Sequence, residues 1–266
     1  MKKILPWLAL GAGTFAYGAL VEANRLKAER HTLRIPGWPT HLSGYRIGLI
    51  ADLHIRDKQT VVLTRAALAW LKDQNPDILI IGGDLVDRNI PYYRHLLKFA
   101  LQDLSHFAGK SIAIPGNRDH DRGDVQHIRK IVESHNCQFL LNQVHQQDGI
   151  EWIGIDSANG GRPSPYQTVE QANPKNPMVV LWHEPDMVEH LPVGPELMLS
   201  GHAHGGQFTT PWGWAPMRTR NGKKYLRGFY PNAPTPLYVT RGLATTFLPA
   251  RLFCPPEVAI LTIERR

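Results

Sequence analysis

The 266-residue sequence has few cysteines, no internal repeats and no low-complexity segment. Its two cysteines, Cys137 and Cys254, are far apart in the chain, and two cysteines do not make the disulfide framework of a small secreted protein. With 42% apolar and 20% charged residues, the chain has the composition of a globular protein. Its length suits one large domain or two small ones, either of which can bury a substantial core.

Acidic residues are scarce in the last quarter of the chain. Residues 201–266 contain nine lysines and arginines but only two glutamates, whereas the preceding 200 residues contain 21 residues of each sign. The net charge of +7 therefore resides in this last quarter. A basic surface suits anionic ligands such as phosphates, nucleic acids or acidic lipid headgroups, although a solvated basic face has the same composition.

One long uncharged run is present, at residues 4–21, directly after two lysines. Its 18 residues are near the lower limit for a helix that crosses a bilayer. Trp7 and Tyr17, near its two ends, are typical of interfacial anchors. We expect residues 1–21 to be an uncleaved anchor that places the protein at the inner (plasma) membrane, on a side that the flanking charges do not indicate. A cleavable signal peptide and a buried core helix are the alternatives.

Beyond a predicted connector at 22–44, the remaining residues, 45–266, are predicted to form the functional domain. Its first half alternates short apolar runs with amphipathic runs, which is typical of βαβ units and a largely parallel sheet. Strands are predicted at 45–51, 77–81 and 111–114, and helices at 60–74, 91–107 and 124–135. Later strands are predicted at 138–144, 152–155, 178–182, 197–199, 237–240 and 258–263. Loops rich in proline and glycine separate these later strands and suggest a second sheet packed on the first.

Polar side chains with metal-binding chemistry follow the predicted strands. In chain order they are Asp52, His54, Asp84, Asn117, His183, His202 and His204. In open α/β sheets the active site lies at the carboxyl ends of the strands, so we expect these side chains to share one site. Oxygen and imidazole ligands without a thiolate favour Mn, Fe, Zn or Co over a soft-metal site.

The order of the motifs DxH, GDxxD, GNxD, H and GHxH resembles the calcineurin-like metallophosphoesterase family from about Tyr45 to the C-terminus. The runs GHAHGGQ and PARLFCPPEVAILTI are similar to a bacterial, membrane-associated branch of that family. The resemblance implies an α/β fold of two facing mixed β-sheets flanked by helices, a four-layer sandwich. The hydrophobic N-terminal helix would precede it.

The resemblance also implies a dinuclear metal site and assigns its ligands by position. A first ion would be bound by Asp52, His54 and His204, a second by Asn117, His183 and His202, and both by Asp84. Two such ions, with Mn favoured, can hold a bridging hydroxide that attacks a phosphate, so that no protein nucleophile is required. Asp87 is predicted either to orient a histidine or to be a helix N-terminal carboxylate. The predicted catalytic residues are thus Asn117, Arg118 and Asp87.

Arg118 departs from the commonest family pattern, which has histidine after the asparagine. Arginine cannot donate a proton near neutral pH, so Arg118 is predicted to be an electrostatic clamp rather than a general acid. This fits a leaving group that needs no protonation, such as a nucleotide phosphate released from a pyrophosphate bond. His120 is either a replacement acid or an exposed loop histidine. Predicted substrate contacts are Arg118, His120, Gln207 and Arg241.

We therefore expect a phosphohydrolase that cleaves phosphodiester or pyrophosphate bonds in a membrane-associated amphiphilic substrate, such as a lipid-linked nucleotide. The GNRD form of the motif also occurs in the UDP-2,3-diacylglucosamine pyrophosphatases of lipid A synthesis, which is the alternative activity. A nuclease is less favoured, because the basic quarter lacks clear interleaving of aromatic and basic residues. A non-catalytic binding protein is also less favoured, since structural zinc sites usually contain thiolates.

Overall fold

Two mixed β-sheets, each of six strands, form the centre of the fold. The structure, a computed structural model, describes residues 5–87, 92–121 and 124–266. Within these residues, strands β1 to β12 are Lys27–Ile35, Tyr45–Ile50, Ile78–Ile81, Ser111–Ala113, Gln138–Phe139, Gln143–Gln147, Ile150–Gly154, Met178–Leu181, Leu197–Ser200, Gly228–Tyr230, Leu237–Val239 and Glu257–Arg265. Helices α1 to α6 are Leu5–Leu20, Lys58–Gln74, Tyr93–Ala100, Asn117–His120, Val125–Glu133 and Pro165–Val169. The predicted α/β class with two facing sheets flanked by helices is confirmed.

The strand order places the predicted site strands at the centre of each sheet. The first sheet has the order β1-β12-β2-β3-β4-β5, and the second has the order β10-β11-β9-β8-β7-β6. In the first sheet β2, β3 and β4 are parallel neighbours. In the second sheet β7, β8 and β9 are parallel neighbours. The carboxyl ends of these strands therefore meet along one edge of each sheet.

Both faces of the central strands are buried, which is why their sequences are continuously apolar rather than alternating. In β2, Ile47 and Leu49 pack between the two sheets, whereas Ile50 packs against the helices. In β8, Val179 points between the sheets and Val180 points to the opposite, outer face. Because successive side chains of a strand point to opposite faces, alternate residues pack between the sheets and the others pack on the outer side of the sheet.

Helix α2 has clear sequence signals at both ends. Asp57 caps its N-terminus by accepting a hydrogen bond from the Thr60 backbone N–H, 2.8 Å away, and the Thr60 hydroxyl completes a capping box. Asn75 ends the helix in the left-handed conformation, with φ 46°, directly before Pro76. The helix begins two residues earlier than predicted and ends where predicted.

Helices α3 and α5 also match predicted helices in part. The predicted start at Pro91 lies outside the described residues, and α3 begins at Tyr93. It ends at Ala100 and gives way to a 3₁₀ turn over Gln102–Phe107. Helix α5 spans Val125–Glu133, within the predicted 124–135.

Two sequence predictions need correction. Residues 22–44 are not only a connector, because β1 lies within them and pairs in parallel with β12 over nine residues. The single strand predicted at 138–144 is wrong. The chain turns at Asn142, which has a φ of 51°. As a result, β5 belongs to the first sheet and β6 to the second.

Helix α1 is joined to the rest of the protein at its C-terminal end. The Gly18 carbonyl accepts a hydrogen bond from the Arg251 backbone N–H at 3.1 Å. Four residues later, the buried Glu22 carboxylate accepts one from the Cys254 backbone N–H at 2.8 Å. A Cβ atom at Gly18 would lie 2.7 Å from the Arg251 carbonyl oxygen, so only glycine allows this approach. Within residues 5–87, 92–121 and 124–266, none of the helices combines the length and apolar character needed to cross a bilayer.

Candidate metal centre

Six of the seven predicted ligands form two adjoining buried triads at the strand ends. One triad is Asp52, His54 and His204, and the other is Asp84, His183 and His202. In the first triad, the Nε2 atoms of His54 and His204 are 3.2 Å apart. The Asp52 Oδ1 atom is 3.4 Å from His204 Nε2. Each triad thus offers three donor atoms at the spacing of a single cation site.

Asp84 lies between the two triads. Its Oδ2 atom is 3.5 Å from His54 Nε2, in one triad, and 3.3 Å from His183 Nε2, in the other. Its other oxygen, Oδ1, accepts a hydrogen bond from the Arg118 backbone N–H at 2.8 Å. A carboxylate in this position can contact a cation in either triad, which is the geometry that a bridging ligand requires.

Backbone carbonyls orient three of the four histidines. His183 Nδ1 is 2.7 Å from the Gly82 carbonyl and His204 Nδ1 is 3.2 Å from the Ala244 carbonyl, so each directs Nε2 into the site. His202 is reversed, because its Nε2 is 2.6 Å from the Arg220 carbonyl and Nδ1 is left to face the site. A carbonyl acceptor fixes the tautomer of a metal-binding imidazole and the direction of its free nitrogen.

Five of the site side chains stand on backbone in the left-handed region, which non-glycine residues rarely adopt. They are Asp52, His54, Asp84, His202 and His204, with φ between 40° and 65°. A non-glycine residue in this conformation destabilises the folded state by about 1–3 kcal/mol. It persists only where the surrounding structure holds the backbone in place. This backbone turns side chains at the strand ends toward one centre.

Glycines next to the ligands allow the close packing of the site. A Cβ atom at Gly116 would lie 2.2 Å from Asp84 Oδ1, and one at Gly242 would lie 2.5 Å from Asp52 Oδ2. Gly242 also has a φ of +69°, which favours glycine. Gly116, in the GN motif, therefore leaves room for the Asp84 carboxylate, and Gly242 leaves room for the Asp52 carboxylate.

The histidines and carboxylates of the site perturb one another's pKa values. Burial lowers the pKa of His54 to about 4, and burial also holds the pKa of His202 and His204 below the ordinary value. Those three imidazoles favour the neutral form, which is the form that binds metal. Burial raises the pKa of Asp52 to about 7. Burial opposes ionisation of Asp84 as well, but the positive charge of His183 lowers its pKa well below the ordinary range.

The residues fit a pair of divalent cations. Asn117 Oδ1 and His183 Nε2 are buried and have no hydrogen-bond partner among the described residues. Buried polar atoms are normally satisfied, so these two atoms are suited to metal coordination. The ionised Asp84 depends on a neighbouring positive charge. The fold and the two triads therefore define a site for divalent metal ions.

Arg118 and Asp119, which complete the GNRD run, have different roles. The side chain of Arg118 is 12% exposed, and its guanidinium is 3.3 Å from the Thr246 hydroxyl and 3.3 Å from Asp121. Asp119 is buried and accepts hydrogen bonds from the backbone N–H groups of Gly116, Leu85 and Val86. Arg118 thus extends its guanidinium toward Thr246 and Asp121, whereas Asp119 joins the loops that carry Asp84 and Asn117.

His120 and Asp87 each form an ion pair with another residue of the protein. The prediction of an exposed loop histidine is wrong, because the His120 side chain is 14% exposed and its Nε2 is 2.6 Å from Asp156 Oδ1. Asp87 is 3.9 Å from His54 Nδ1, too far for a hydrogen bond, and 3.0 Å from the Arg56 guanidinium. Orientation of His54 by Asp87 remains a prediction.

Gln207 and Arg241 are engaged within the protein. The Gln207 amide donates to the carbonyls of Thr246 and Leu248 and accepts from the Thr246 N–H. Arg241 forms ion pairs of 2.7 Å with Glu29 and Glu257. These contacts support loop-positioning roles and do not support the predicted contacts with substrate.

Sequence reasoning missed two residues that contact the site. Asn159 Nδ2 is 3.3 Å from His202 Nε2 and donates to the Arg220 carbonyl at 3.0 Å. Arg251 is fully buried and donates to the carbonyl of Ala244, the same oxygen that orients His204. Asn159 lies in none of the motifs, whereas Arg251 lies in the run PARLFCPPEVAILTI, where an arginine within an apolar stretch was the available signal.

Comparison with known proteins identifies the family of the chain. A model of the family described as calcineurin-like phosphoesterase matches residues 45–206, more than half of the chain. The chain therefore belongs to the calcineurin-like phosphoesterase family and is a metal-dependent phosphoesterase.

Three relatives match nearly the full length. The chain is 27% identical to "Uncharacterized metallophosphoesterase YkuE" of Bacillus subtilis (strain 168), over 99% of this chain and 96% of that protein. It is 28% identical to "Phosphodiesterase YaeI" of Escherichia coli (strain K12), over 94% and 92%. It is 25% identical to "UDP-2,3-diacylglucosamine pyrophosphatase LpxG" of Chlamydia muridarum (strain MoPn / Nigg), over 93% and 92%.

Proposed function

We propose that this protein hydrolyses phosphodiester or pyrophosphate bonds in a membrane-associated amphiphilic substrate. The observation that carries the proposal is the placement of Arg118 beside two metal-binding triads that share Asp84. The triads would hold the two ions, with Mn first and Fe, Zn or Co as alternatives. When bound, the ions supply Lewis-acid activation of water and of the phosphate group.

Arg118 sets the preference among phosphate esters. Its backbone N–H donates to Asp84, so the residue is fixed next to the ligand shared by both triads. Its guanidinium remains positively charged at neutral pH, and it can stabilise negative charge on a phosphate but cannot protonate a departing alkoxide. A phosphate or an acidic phenolate leaves without a proton. Such leaving groups favour diesters of acidic alcohols and pyrophosphates over alkyl monoesters.

Turnover with Mn²⁺ on three substrates tests the proposal: a chromogenic phosphodiester, a phosphomonoester and a UDP-sugar lipid. We expect hydrolysis of the diester or the UDP-sugar lipid to exceed that of the monoester. Arg118→Gln should lower turnover by about 10²–10³-fold, as loss of one charge-stabilising donor does in other hydrolases. Arg118→His should shift the preference toward the monoester.

The control is Arg129→Gln, which removes a half-buried arginine that pairs with Glu133 on α5, away from the triads. Its turnover should match that of the wild-type protein. An Arg118→His variant with an unchanged ratio of diester to monoester hydrolysis would contradict the leaving-group argument. Absence of turnover on all three substrates would contradict the proposed activity.

Hydrolysis of UDP-2,3-diacylglucosamine is the alternative within this proposal. It is supported by the relative named as a UDP-2,3-diacylglucosamine pyrophosphatase, which aligns with 93% of this chain. The relative named as a phosphodiesterase aligns with a similar share, 94%. Comparison of the UDP-sugar lipid with the phosphodiester in the same assay separates the two activities.

Membrane attachment is the third part of the proposal. Residues 4–21 would hold the protein at the inner membrane, as a single-pass or peripheral segment. Retention of this segment is supported by the hydrogen bonds that join Gly18 and Glu22 to residues 251–254. Carbonate extraction of membranes should leave the protein in the pellet, and N-terminal sequencing should find the segment intact.

A further inference from the structure

We propose that an exposed aromatic and basic surface beside the metal centre docks on an anionic phospholipid bilayer. The surface, which we call the docking face, comprises the loop at 208–227, the turn at 246–248 and the outer side of α1. This inference rests on the proposed function in one respect: the bilayer that binds this face would be the one that contains the amphiphilic substrate. It does not depend on α1 crossing the bilayer.

The loop at 208–227 combines exposed tryptophans with positive charge. Trp212 is 81% exposed and Trp214 is 56% exposed. Thr210 fixes the turn between them by accepting from the Trp214 N–H at 3.1 Å and donating to the Trp214 carbonyl at 2.8 Å. The loop contains five lysines and arginines and no acidic residue. Tryptophan side chains and clustered basic residues are the groups that bind the interface of an anionic bilayer.

The turn at 246–248 presents a further exposed aromatic residue, Phe247, next to the site. Phe247 is 83% exposed on a backbone with a φ of 58°, which is strained for a bulky side chain. The Gln207 amide holds this turn through Thr246 and Leu248. The ring stacks on the Arg118 guanidinium, whose central carbon is 5.5 Å from the ring centroid, and is otherwise exposed to solvent. An exposed ring held on strained backbone beside Arg118 supports a functional role for the ring.

A continuous apolar path joins this turn to α1. Phe208 lines a cavity of about 80 Å³ beside His204, together with Met217 and Phe247. Phe208 also lines a groove against the exposed face of α1, together with Trp7 and Phe15. Large exposed apolar patches mark interaction sites on soluble domains. The docking face therefore runs from the N-terminal helix to the opening of the metal centre.

The charge of the face identifies a lipid bilayer as its occupant. Arg218 donates its guanidinium to the carbonyls of Ala215 and Lys223, so its charge is not neutralised by these contacts. Arg220 and Lys223 are also exposed. The basic side chains of the docking face can bind the phosphate headgroups, and its aromatic rings can insert at the boundary between headgroups and acyl chains. A nucleic acid could stack on the rings, but it would not use the apolar groove that continues along α1.

Sedimentation with lipid vesicles tests the inference on the full chain. Vesicles of phosphatidylcholine mixed with phosphatidylglycerol should bind the wild-type protein at least about tenfold more tightly than the Trp212→Ser/Trp214→Ser variant. Because both proteins keep α1, the difference isolates the loop. The control Tyr166→Ser removes a 58% exposed aromatic residue on α6 and should bind as the wild type does.

Four outcomes bear on the inference. Equal vesicle binding by the wild-type protein and the double tryptophan variant would overturn it. Binding of a single-stranded oligonucleotide through the same tryptophans, without vesicle binding, would overturn it in favour of a nucleic-acid site. Turnover of a soluble phosphodiester by the double variant should stay within about twofold of wild type. Tryptophan-dependent vesicle binding by a protein that hydrolyses none of the esters would support the docking face while contradicting the proposed activity.

Discussion

Replacing Arg251 by methionine should destabilise the protein and weaken its metal site together. The Arg251 side chain is fully buried, and its guanidinium donates to the carbonyls of Arg241, Gly242 and Ala244 at 2.5 to 3.1 Å. It also donates to the Cys254 carbonyl at 3.1 Å. Methionine is apolar and shorter, so it removes the guanidinium donor from all four carbonyls. Those of Gly242 and Ala244 keep contacts with the Glu257 N–H and with His204 Nδ1, whereas those of Arg241 and Cys254 lose the donor that Arg251 provides.

The magnitude follows from the number of buried acceptors. Each buried acceptor left unsatisfied costs about 1–3 kcal/mol, and part of this is offset because a buried cation is also removed. We expect Arg251→Met to lower the free energy of unfolding by about 3–5 kcal/mol, a large share of the total for one domain. Because the Ala244 carbonyl also orients His204, Mn²⁺ affinity should fall about 10- to 100-fold.

Urea denaturation and titration calorimetry with Mn²⁺ measure the two effects. Arg129→Met, which removes a half-buried surface arginine paired with Glu133, is the matched control and should change stability by less than about 1 kcal/mol. If Arg251→Met also cost less than about 1 kcal/mol, or left Mn²⁺ affinity unchanged, the role of Arg251 as the support of the His204 loop would be refuted.

Three further predictions concern residues near the site. Gly242→Ala places a Cβ atom 2.5 Å from Asp52 Oδ2 at a φ of +69°, so it should cost at least about 1–2 kcal/mol and lower Mn²⁺ affinity, which calorimetry checks. Burial alone would lower the pKa of His120, but the hydrogen bond to Asp156 raises it. The stabilisation is therefore present below the ordinary pKa of histidine and is lost as pH rises through the raised value, so His120→Ala should cost more stability near ~pH 6 than near ~pH 9 in denaturant titrations. Burial raises the pKa of Cys137 to about 12, so in a variant with the other cysteine replaced by serine, a thiol reagent at neutral pH should react after unfolding and not before.

The metal ligands could be predicted from sequence because each sits in a local pattern. Asp52 follows a buried apolar strand, and Asp84 follows another after two glycines. Parallel neighbours bring the ends of such strands together, so the sequence order of the motifs determines a cluster in space. The structure places the two carboxylates in adjoining triads, and their roles as metal ligands remain a prediction.

The remaining parts of the site depend on contacts between distant residues. Arg251 reaches the His204 loop from 47 positions away, and Asn159 reaches His202 from 43 positions away. No periodicity or spacing marks such pairs. Substrate contact by Gln207 and Arg241 remains a prediction, and in the structure the polar groups of both residues bond to other parts of the protein.

The missed strand β1 has a different cause. It lies at the edge of its sheet, and its burial pattern leaves most of its residues exposed or half-buried. An edge strand of this kind contains many charged residues and lacks the apolar run that identifies a central strand. Its partner β12 is 230 residues away at the start of the pairing, between Lys27 and Glu257.

Metal-dependent turnover of a chromogenic phosphodiester, measured together with bound metal, tests the central claim most directly. The wild-type protein should bind two Mn²⁺ ions per chain and hydrolyse the ester. His202→Ala and Asp84→Asn should lose bound metal and at least about 10²-fold in turnover. His190→Ala, which changes an exposed histidine outside the triads, should behave as the wild-type protein does. Full turnover by the two site variants would contradict the assignment of this centre as the catalytic site.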